Sequence, residues 1–408
     1  METELVQDIV IVGAGIAGVT TSLGLHRLGI RSLVLESSDS LRVTGFSLSI
    51  WQNAWKALDA VGVGDKLRRH HQPLNEIVTT SLVTGQQIVA IPFRPTGDQK
   101  GIEIRCVQRT TVLEVLVNEL PKDTIRYSSK VVGIEESGFY KILHLADGTT
   151  IKTKVLIGCD GVNSMVAKWL GFKEASFTRR FAIRGFAQFK THHGLKLRFM
   201  QFFGNGIRVG VVPCNEKQVH WFFTCIPTNQ ELKELKEDRA KLKPYVLKNI
   251  ENMPSDVKAC IEITDANGFL SYPLRYRQPW DLMMGNISKG NVCIGGDALH
   301  PMTPDLGQGA CCALEDGVVL ARCLAEAFSE EKEEEEVLYK KIEESLKKYA
   351  KERRWRSVDV TTTAYMLGSI QQAESRLVTF FRENILATFM ASQYLKKSGY
   401  DCGKLNSP

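Results

Sequence analysis

The sequence predicts an α/β fold in which a parallel-sheet domain is interrupted by a mainly antiparallel β region and followed by C-terminal helices. Three observations indicate this fold class. A strand–helix–strand pattern opens the chain. Two short apolar runs, at residues 155–158 and 292–295, are typical of buried parallel strands. Between them lies a region rich in Phe and Val that Gly, Asn and Pro interrupt, which is typical of antiparallel strands.

The opening pattern has the length of a Rossmann-like dinucleotide-binding unit. A strand at residues 8–12 leads into the sequence Gly-Ala-Gly-Ile-Ala-Gly at residues 13–18, a helical pattern runs to Gly29, and a second strand ends at Glu36. Gly13 permits the tight turn, Gly15 lets the backbone approach a pyrophosphate, and Gly18 lets the helix pack closely on the strand. The helix N-terminus offers N–H groups to phosphates, and Glu36 offers acceptors to a ribose. This motif alone leaves open whether the dinucleotide is FAD or NAD(P).

The remaining elements follow from the hydrophobic pattern. Antiparallel strands are expected at residues 181–189, 197–203, 207–212 and 219–225, with a hairpin turn at residues 204–206 and a charged helix at residues 230–243. Helical spacing begins at Ala310, and a second helix is expected over residues 338–358. The acidic run at residues 330–336 is expected to be a solvated turn or helix end. The amphipathic tail at residues 377–395 is expected to pack within the protein rather than on a membrane.

Composition excludes several classes of protein. The chain has 408 residues, 43% hydrophobic and 24% charged, which indicates two or three globular domains and excludes a disordered, collagen-like or coiled-coil protein. The net charge is +6, and the richest basic clusters, at residues 179–180 and 353–356, are too short to predict nucleic-acid binding. We expect both clusters to lie on a solvated surface.

Apolar runs and cysteine usage indicate the compartment. No run of about 18 apolar residues is present, so no integral membrane segment is expected, and the N-terminal residues resemble neither a signal nor a transit peptide. The ten cysteines have no Cys-x-x-Cys spacing and form no metal-like pattern with histidines. Free, mostly buried thiols, a cytoplasmic location and no metal site are therefore expected.

Two further motifs carry a family resemblance. The sequence Gly-Gly-Asp-Ala-Leu-His-Pro at residues 295–301 follows its own strand and precedes Pro304 and the Gly-Gln-Gly sequence of residues 307–309, while Cys-Asp-Gly-Val-Asn-Ser occupies residues 159–164. Together with the first glycine motif, they resemble the single-component (class A) FAD-dependent monooxygenases, the aromatic hydroxylase family. Within this family the chain is most similar to plant salicylate-hydroxylase-like and zeaxanthin-epoxidase-like monooxygenases, and the resemblance covers about residues 8–386.

The resemblance implies roles for particular positions. The adenosine-diphosphate fingerprint corresponds to Gly13, Gly15, Ala17, Gly18 and Glu36, followed by Arg42. Arg109 corresponds to an arginine that contacts FAD near the pyrophosphate, Asp160 and Gly161 to a motif used for both FAD and NAD(P)H, and Asp297 to the aspartate that binds the flavin ribityl chain. The loop beside the isoalloxazine ring corresponds to Gly307, Gln308 and Gly309, and Pro304 corresponds to a proline where flavin meets substrate.

The resemblance also implies an architecture. The FAD-binding domain of the aromatic hydroxylase type is expected in three parts, at residues 1–75, 101–176 and 286–330. A substrate-domain excursion is expected at residues 76–100, a β-sheet substrate domain at residues 177–285, and a C-terminal helical region at residues 331–408.

The implied activity is monooxygenation with FAD as cofactor and NAD(P)H and O2 as co-substrates. One oxygen atom would enter a small aromatic or other plant secondary metabolite, by hydroxylation or epoxidation, through a flavin C4a-hydroperoxide that a dry pocket protects. A monomer or homodimer without a nucleic-acid partner is expected. Two alternatives stay open: an FAD-dependent oxidase or dehydrogenase that needs no nicotinamide, and a low-turnover flavin-binding regulatory protein.

The sequence departs from the family at the second motif. The family motif commonly continues Ser-x-Val-Arg, but Ala167 stands here at the arginine position, followed by Lys168. Ser37 and Ser38 also stand where many relatives have a basic residue. The choice between NADPH and NADH therefore stays open, and the resemblance predicts weak binding of either donor.

The substrate side is less determined. His220 and Phe222 share one face of a predicted strand and Trp221 and Phe223 the other, so one of these pairs is expected to line the pocket. Further candidates are Arg184 and Arg198 for pairing with a substrate carboxylate and Tyr272 for a hydrogen bond to a phenol, alongside Pro304 and Gln308. His192 and His193 are expected in a loop, His300 is expected to act in positioning, and no general base can be assigned.

Overall fold

The computed structural model describes residues 6–41, 47–93, 101–329, 334–373, 375–382 and 387–405. The strands are β1 Gln7–Val12, β2 Leu33–Leu35, β3 Ser47–Ile50, β4 Glu76–Ser81, β5 Gln87–Pro92, β6 Arg105–Gln108, β7 Ile125–Arg126, β8 Val131–Ser137, β9 Tyr140–Leu145, β10 Thr150–Gly158, β11 Ser176–Gln188, β12 Arg198–Gly204, β13 Ile207–Pro213, β14 Gln218–Cys225, β15 Leu270–Tyr276, β16 Ser288–Lys289 and β17 Val292–Ile294.

The helices alternate with these strands in the first part of the chain and dominate its end. They are α1 Ile16–Arg27, α2 Gln52–Ala60, α3 Gly64–Arg68, α4 Arg109–Val117, α5 Met165–Trp169, α6 Asn229–Glu237, α7 Leu242–Asn249, α8 Ser255–Ile263, α9 Pro279–Met284, α10 Gly309–Ala325, α11 Glu335–Gln371, α12 Arg376–Phe381 and α13 Ala387–Lys397. Short 3₁₀ helices occupy Arg239–Lys241, Ala266–Gly268, Gly296–Ala298 and Pro304–Leu306.

The first sheet is the predicted parallel sheet. Its main path runs in the order β16-β17-β10-β1-β2-β7, in which β17, β10, β1, β2 and β7 are parallel to one another. Strand β16 pairs antiparallel with β17, and the β8–β9 hairpin joins the sheet through an antiparallel pairing of β9 with β10. The two apolar runs predicted as buried parallel strands are β17 and the end of β10, and both are fully buried. Helices α1 and α10 pack against each other beside this sheet. The loops that follow the carboxyl ends of its parallel strands meet at one edge of the sheet.

The second sheet contains the predicted antiparallel strands. Its order is β15-β11-β14-β13-β12-β4-β5, and the turn between β12 and β13 places Asn205 in the left-handed region, as the predicted hairpin requires. Strands β4 and β5 join this sheet through a parallel pairing of β4 with β12, so part of the expected excursion at residues 76–100 lies in it. The division of the chain into domains nevertheless stays a prediction.

Several sequence expectations need correction. The helix expected at residues 230–243 is broken at Asp238, whose side chain accepts a hydrogen bond from the backbone N–H of Ala240 and begins a new turn. The helix expected to end near Val358 continues to Gln371 as α11. Residues 330–333 of the acidic run and 383–386 of the tail lie outside the described residues.

The prediction that both arginine clusters are solvated is wrong. Arg353 is completely buried, and Arg180 and Arg356 are nearly so, because buried carboxylates on other elements pair with them. All ten thiols are free and buried, as predicted. Among the described residues, no helix is long and apolar enough to cross a membrane.

Candidate active site

A cavity of about 400 Å³ opens where the carboxyl edge of the first sheet meets one face of the second. The first sheet with its loops and helices contributes Gly15, Ile16, Ala17, Arg109, Cys159, Gly161, Gly296, Asp297, Met302, Thr303, Pro304, Asp305, Gly307, Gly309, Ala310 and Ala313. Strand β3, which pairs with β6 in a separate two-stranded sheet, contributes Ser47, Leu48 and Ser49. The second sheet and the tail contribute Arg184, Phe199, Arg208, Val212, His220, Phe222 and Tyr394. Ligands of open α/β sheets bind at this position because parallel strands present their loops there.

The first glycine turn is shaped to receive a phosphate. Gly13 has φ +103°, and a Cβ there would overlap the carbonyl oxygen of Cys159, so the turn needs glycine. A Cβ at Gly15, by contrast, would meet no atom within 4 Å, which leaves open space beside the backbone. In the described part of the chain, no side chain caps α1 and its first turn has no acidic residue. The positive end of this helix is therefore available to a pyrophosphate.

Glu36 is held at the end of β2 beside this turn. One carboxylate oxygen accepts the backbone N–H of Ala14 at 2.9 Å, and the other accepts the N–H of Ser38 at 2.9 Å. These hydrogen bonds fix the carboxylate where a ribose would lie in a dinucleotide-binding unit. Arg42 lies outside the described residues, so its expected role stays a prediction.

Asp297 and Arg109 face the cavity from two separate elements. The Asp297 carboxylate lines the cavity just after β17, and it has no hydrogen-bond partner among the described residues. Burial raises the pKa of Asp297, and the positive charge of Arg109, at the start of α4, acts in the opposite direction. Nearby Arg105 points away, because Glu103 binds its guanidinium at 2.7 Å. These contacts fit a site in which Asp297 accepts hydrogen bonds from a polyol chain and Arg109 meets a phosphate.

We therefore predict that Asp297→Ala lowers FAD affinity about ten- to a hundredfold, because a charge-assisted hydrogen bond contributes roughly 1.5–3 kcal/mol. The measurement is the FAD dissociation constant of the reconstituted apoprotein, followed by flavin fluorescence. Asp265→Ala, at an exposed aspartate remote from the cavity, is the matched control and is expected to keep wild-type affinity. Full flavin occupancy in Asp297→Ala would contradict the ribityl assignment.

The second motif brings its glycine, but not its aspartate, to the cavity. The Asp160 carboxylate accepts the N–H of Met165 at 2.7 Å and the hydroxyl of Ser164, so it caps α5, while burial raises its pKa. Gly161 lines the cavity directly. Ala167, which stands where the family motif commonly has an arginine, is buried in α5. Its neighbour Lys168 pairs with Glu174 at 3.2 Å on the surface. Lys168 therefore does not replace the missing arginine at the cavity.

The loop from Thr303 to Gly309 forms the cavity floor in front of α10. Pro304, Gly307 and Gly309 line the cavity, as the resemblance implies. The side chain of Gln308 does not, because it is buried and its amide oxygen accepts a hydrogen bond from Asn53 at 2.8 Å. Only the backbone of Gln308 is thus available to a ligand.

Two buried ion clusters, which sequence reasoning missed, hold these loops. In the first, Asp305 binds Arg180 through two hydrogen bonds of 2.7 and 2.8 Å and Arg208 at 3.1 Å. Burial opposes ionisation of Asp305, but Arg180 and Arg208 lower its pKa below the usual value. This cluster fastens the Pro304–Leu306 turn to strands β11 and β13 of the second sheet.

The second cluster fastens the Gly296–Ala298 turn to α10 and α11. Asp316 accepts the N–H of Gly296 at 2.7 Å, Nε2 of His300 at 2.6 Å and Nε of Arg353 at 2.6 Å. Burial alone would raise the pKa of Asp316, but His300 and Arg353 lower it to about 2. His300 is fully buried in this contact, which agrees with its predicted positioning role. The sequence signal was a Glu-Asp pair inside an otherwise apolar helix, at Glu315 and Asp316.

On the substrate side, the structure distinguishes the two faces of β14. His220 and Phe222 line the cavity, whereas Trp221 and Phe223 pack in the core behind the sheet. Burial, with a smaller contribution from Arg184, lowers the pKa of His220 to about 3. The imidazole is therefore neutral at physiological pH and donates through Nδ1 to the carbonyl oxygen of Gly185 at 3.2 Å.

The other substrate-side candidates divide between cavity and exterior. Arg184 lines the cavity, and Tyr272 does not. The Arg184 guanidinium lies 4.8 Å from the centroid of the Tyr272 ring. Arg198 begins β12 beside Glu76 and does not line the cavity, although its neighbour Phe199 does. His192 and His193 lie in the loop between β11 and β12, as expected.

Comparison with known proteins agrees with this arrangement. The sequence profile of the family described as "FAD binding domain" matches residues 6–364. The chain is 51% identical to "Monooxygenase 2" of Arabidopsis thaliana, covering 99% of this chain and 100% of that protein, and 35% identical to "Monooxygenase 1" of the same plant, covering 97% and 99%. The structure of Klebsiella pneumoniae HpxO complexed with FAD and uric acid superposes with a TM-score of 0.81 at 21% identity and covers both chains completely.

Fold and site together define an FAD-dependent monooxygenase of the aromatic hydroxylase class. The chain belongs to the FAD binding domain family.

Proposed function

We propose that this protein uses NAD(P)H and O2 to insert one oxygen atom into a small organic substrate, by hydroxylation or epoxidation, in plant secondary metabolism. One observation carries the proposal. A single cavity joins a dinucleotide cradle, marked by Gly15 and Asp297, to a pocket walled by Phe199, Val212 and Phe222. Such an enclosure lets a bound flavin and a bound substrate meet away from water.

Bound FAD supplies the activation of O2, and the chain supplies position and shielding. Gly309, Ala310 and Ala313 bring the first turn of α10 to the cavity. The positive end of this helix dipole would stabilise negative charge on a flavin ring held there. The aromatic and aliphatic walls exclude water from the same space. The two ion clusters keep the loops that carry Asp297 and Pro304 rigid on the scaffold.

The nicotinamide donor binds transiently in this proposal. The described residues contain one Rossmann-like turn, and the resemblance assigns that turn to FAD. With Ala167 buried and Lys168 paired on the surface, the second motif offers no arginine to a donor, so we expect its affinity to be weak. Neither donor is favoured over the other.

Anaerobic stopped-flow absorbance of the flavin tests this function. Nicotinamide donor alone, candidate substrate alone and both together are mixed with the holoprotein, the donor being titrated well into the millimolar range. Plant phenolics and uric acid serve as candidate substrates. Because reduction without substrate would waste the donor as peroxide, we expect fast bleaching only with the pair.

Two other results would exclude the proposed function. Bleaching by a substrate alone would identify an oxidase or dehydrogenase, in which the substrate itself delivers the hydride. No response to any combination would identify a low-turnover flavin-binding protein with a regulatory role.

The cellular setting is part of the same proposal. Ten buried free thiols are compatible with a reducing compartment, and we propose the cytoplasm. We propose a monomer or homodimer as the working assembly, to be checked by light scattering of the holoprotein.

A further inference from the structure

Two buried thiols meet where the short β3–β6 sheet contacts the second sheet. The Sγ atoms of Cys106, on β6, and Cys214, directly after β13, lie 2.6 Å apart. Both side chains are buried, and the two residues are 108 positions apart in the chain. The pair therefore meets the first requirement of a disulfide, which is that its two sulfur atoms approach each other without movement of the backbone.

Hydrogen bonds fix the backbone on both sides of this contact. Cys106 pairs with Ser49 across the β3–β6 ladder, and the N–H of Cys214 donates to the carbonyl oxygen of Gln218 at 2.8 Å. Two residues beyond Cys106, on the same face of β6, the Gln108 amide donates to the side-chain oxygen of Gln218 at 3.1 Å. The sulfur contact thus lies between two hydrogen-bonded backbone segments that meet along one face of β6.

The thiol pair lies behind one wall of the cavity. The Cys214 thiol donates a hydrogen bond to Ser47 Oγ at 3.1 Å, and Ser47 lines the cavity. Val212, two residues before Cys214, lines it as well. A small oxidant inside the cavity is therefore separated from the Cys214 sulfur by the Ser47 hydroxyl. In the proposed function, peroxide formed without substrate would arise in this same cavity.

We propose that Cys106 and Cys214 form a reversible oxidation site, at which hydrogen peroxide converts the two thiols into an intramolecular disulfide. Cys214 reacts first: its sulfur attacks one peroxide oxygen, the O–O bond breaks, and a sulfenic acid and one water form. The Cys106 sulfur then attacks the sulfenic sulfur, the S–O bond breaks, and a second water leaves. The thiols lose their two protons and two electrons, and the peroxide is reduced to two waters.

The order of the two steps follows from the surroundings of each sulfur. Burial and the neighbouring Cys214 raise the pKa of Cys106 well above its usual value, which keeps Cys106 a thiol and makes it the poorer first nucleophile. Because Cys106 already contacts Cys214, it traps the sulfenic acid before a second peroxide oxidises it further. Thiol reductants of a reducing compartment return the disulfide to two thiols, so the modification is transient there.

The disulfide ties the dinucleotide side of the cavity to its substrate side. Arg109, which lines the cavity, is three residues beyond Cys106, whereas Cys214 belongs to the turn between β13 and β14 of the second sheet. Oxidation also removes the hydrogen bond that Ser47 accepts from the Cys214 thiol. The modification therefore changes both the covalent connection and the polarity of one cavity wall.

Thiol counting on the FAD-loaded protein tests the proposal without enzymatic turnover. The holoprotein is treated with submillimolar hydrogen peroxide, quenched with catalase and denatured in iodoacetamide, and its alkylated thiols are counted by mass spectrometry. We expect two of the ten thiols to be lost, and to return after reduction with dithiothreitol. Peptide mapping under non-reducing conditions should recover Cys106 and Cys214 in one disulfide-linked species.

Single variants separate the roles of the two thiols. In Cys106→Ala, the Cys214 sulfenic acid has no thiol to trap it, so dimedone should label Cys214. In Cys214→Ala, Cys106 should stay a thiol. Cys225→Ala is the matched control, because Cys225 is also buried in the second sheet but contacts the Tyr245 hydroxyl, and it should still form the disulfide. Flavin occupancy and thermal midpoint identify any variant that fails to fold.

Retention of all ten thiols by the wild type after prolonged peroxide treatment would overturn the proposal. A disulfide between two other cysteines or between two molecules would overturn it as well, as would irreversible sulfinic acids in place of a disulfide. Because the peroxide is added, none of these outcomes depends on the proposed function. Disulfide formation in a protein that shows no nicotinamide-driven flavin reduction would keep this inference and reject the proposed reaction.

Discussion

Replacing Arg353 with methionine is expected to lower the free energy of unfolding by about 3–5 kcal/mol at neutral pH. The Arg353 side chain is completely buried and binds Asp316 at 2.6 Å and Glu315 at 2.7 Å. Removing the guanidinium leaves the buried carboxylates of Glu315 and Asp316 without the cation that pairs with both of them. Urea unfolding followed by circular dichroism measures the change.

The pH dependence gives this prediction a second readout. Burial opposes ionisation of Glu315 and Asp316, but the neighbouring cations lower both pKa values, that of Asp316 to about 2. A carboxylate with a lowered pKa stabilises the folded state above its unfolded pKa of about 4, and this contribution is lost as the pH falls toward the folded value. The difference between wild type and Arg353→Met should therefore be largest at pH 7 and shrink below about pH 4.

Lys351→Met is the matched control, since Lys351 is exposed on the same helix. Its unfolding free energy should stay within about 0.5 kcal/mol of the wild type. An Arg353→Met protein as stable as this control at pH 7 would show that the cluster is solvated, as the sequence alone suggested.

Gly368→Ala is expected to destabilise the protein by about 3 kcal/mol or more, although alanine is the better helix former by about 1 kcal/mol. A Cβ at Gly368 on α11 would overlap a carboxylate oxygen of Asp305 and a guanidinium nitrogen of Arg180. The buried pair would have to separate, and the turn that carries Pro304 would move with it. The variant should therefore lose thermal stability and bind FAD more weakly.

Ser369→Ala separates helix propensity from this contact. Ser369 is the exposed neighbour of Gly368, and its hydroxyl donates to the carbonyl oxygen of Tyr365 within the helix. We expect a change within about 0.5 kcal/mol. If Gly368→Ala proved more stable than the wild type in the same unfolding experiment, the close approach of α11 to Asp305 would be wrong.

Arg353→Met and Gly368→Ala both change helix α11, whose contribution to the site the sequence did not indicate. From the sequence, α11 is a charged segment after an acidic run, with an expected end near Val358. In the structure it continues past Gly368, which lies against Asp305 of the Pro304–Leu306 turn. Through Arg353 it also binds Asp316, the carboxylate that holds the Gly296–Ala298 turn. The apolar pattern could not show this, because the residues that fasten the helix are a cation and a glycine.

The sequence by itself determined the parts of this protein that depend on local backbone and residue type. The turn at Gly13 needs a positive φ, and the strands that end near Gly158 and Ile294 are apolar because both faces of the sheet are covered. Asp297 was identifiable because it follows such a strand directly. Each of these motifs consists of residues within a few positions of one another, so its spacing is visible in the chain.

The tertiary structure alone decided which polar groups are buried and with which partners. Arg353 and its partner Asp316 are 37 positions apart, and Arg180 is 125 positions from Asp305. A buried charge is stable only when its counter-charge is close in space, and no local pattern contains that distance. The sequence could not distinguish Arg184 from Arg353 for this reason. In the folded chain Arg184 faces the cavity, whereas Arg353 lies fully inside the protein beside its two carboxylate partners.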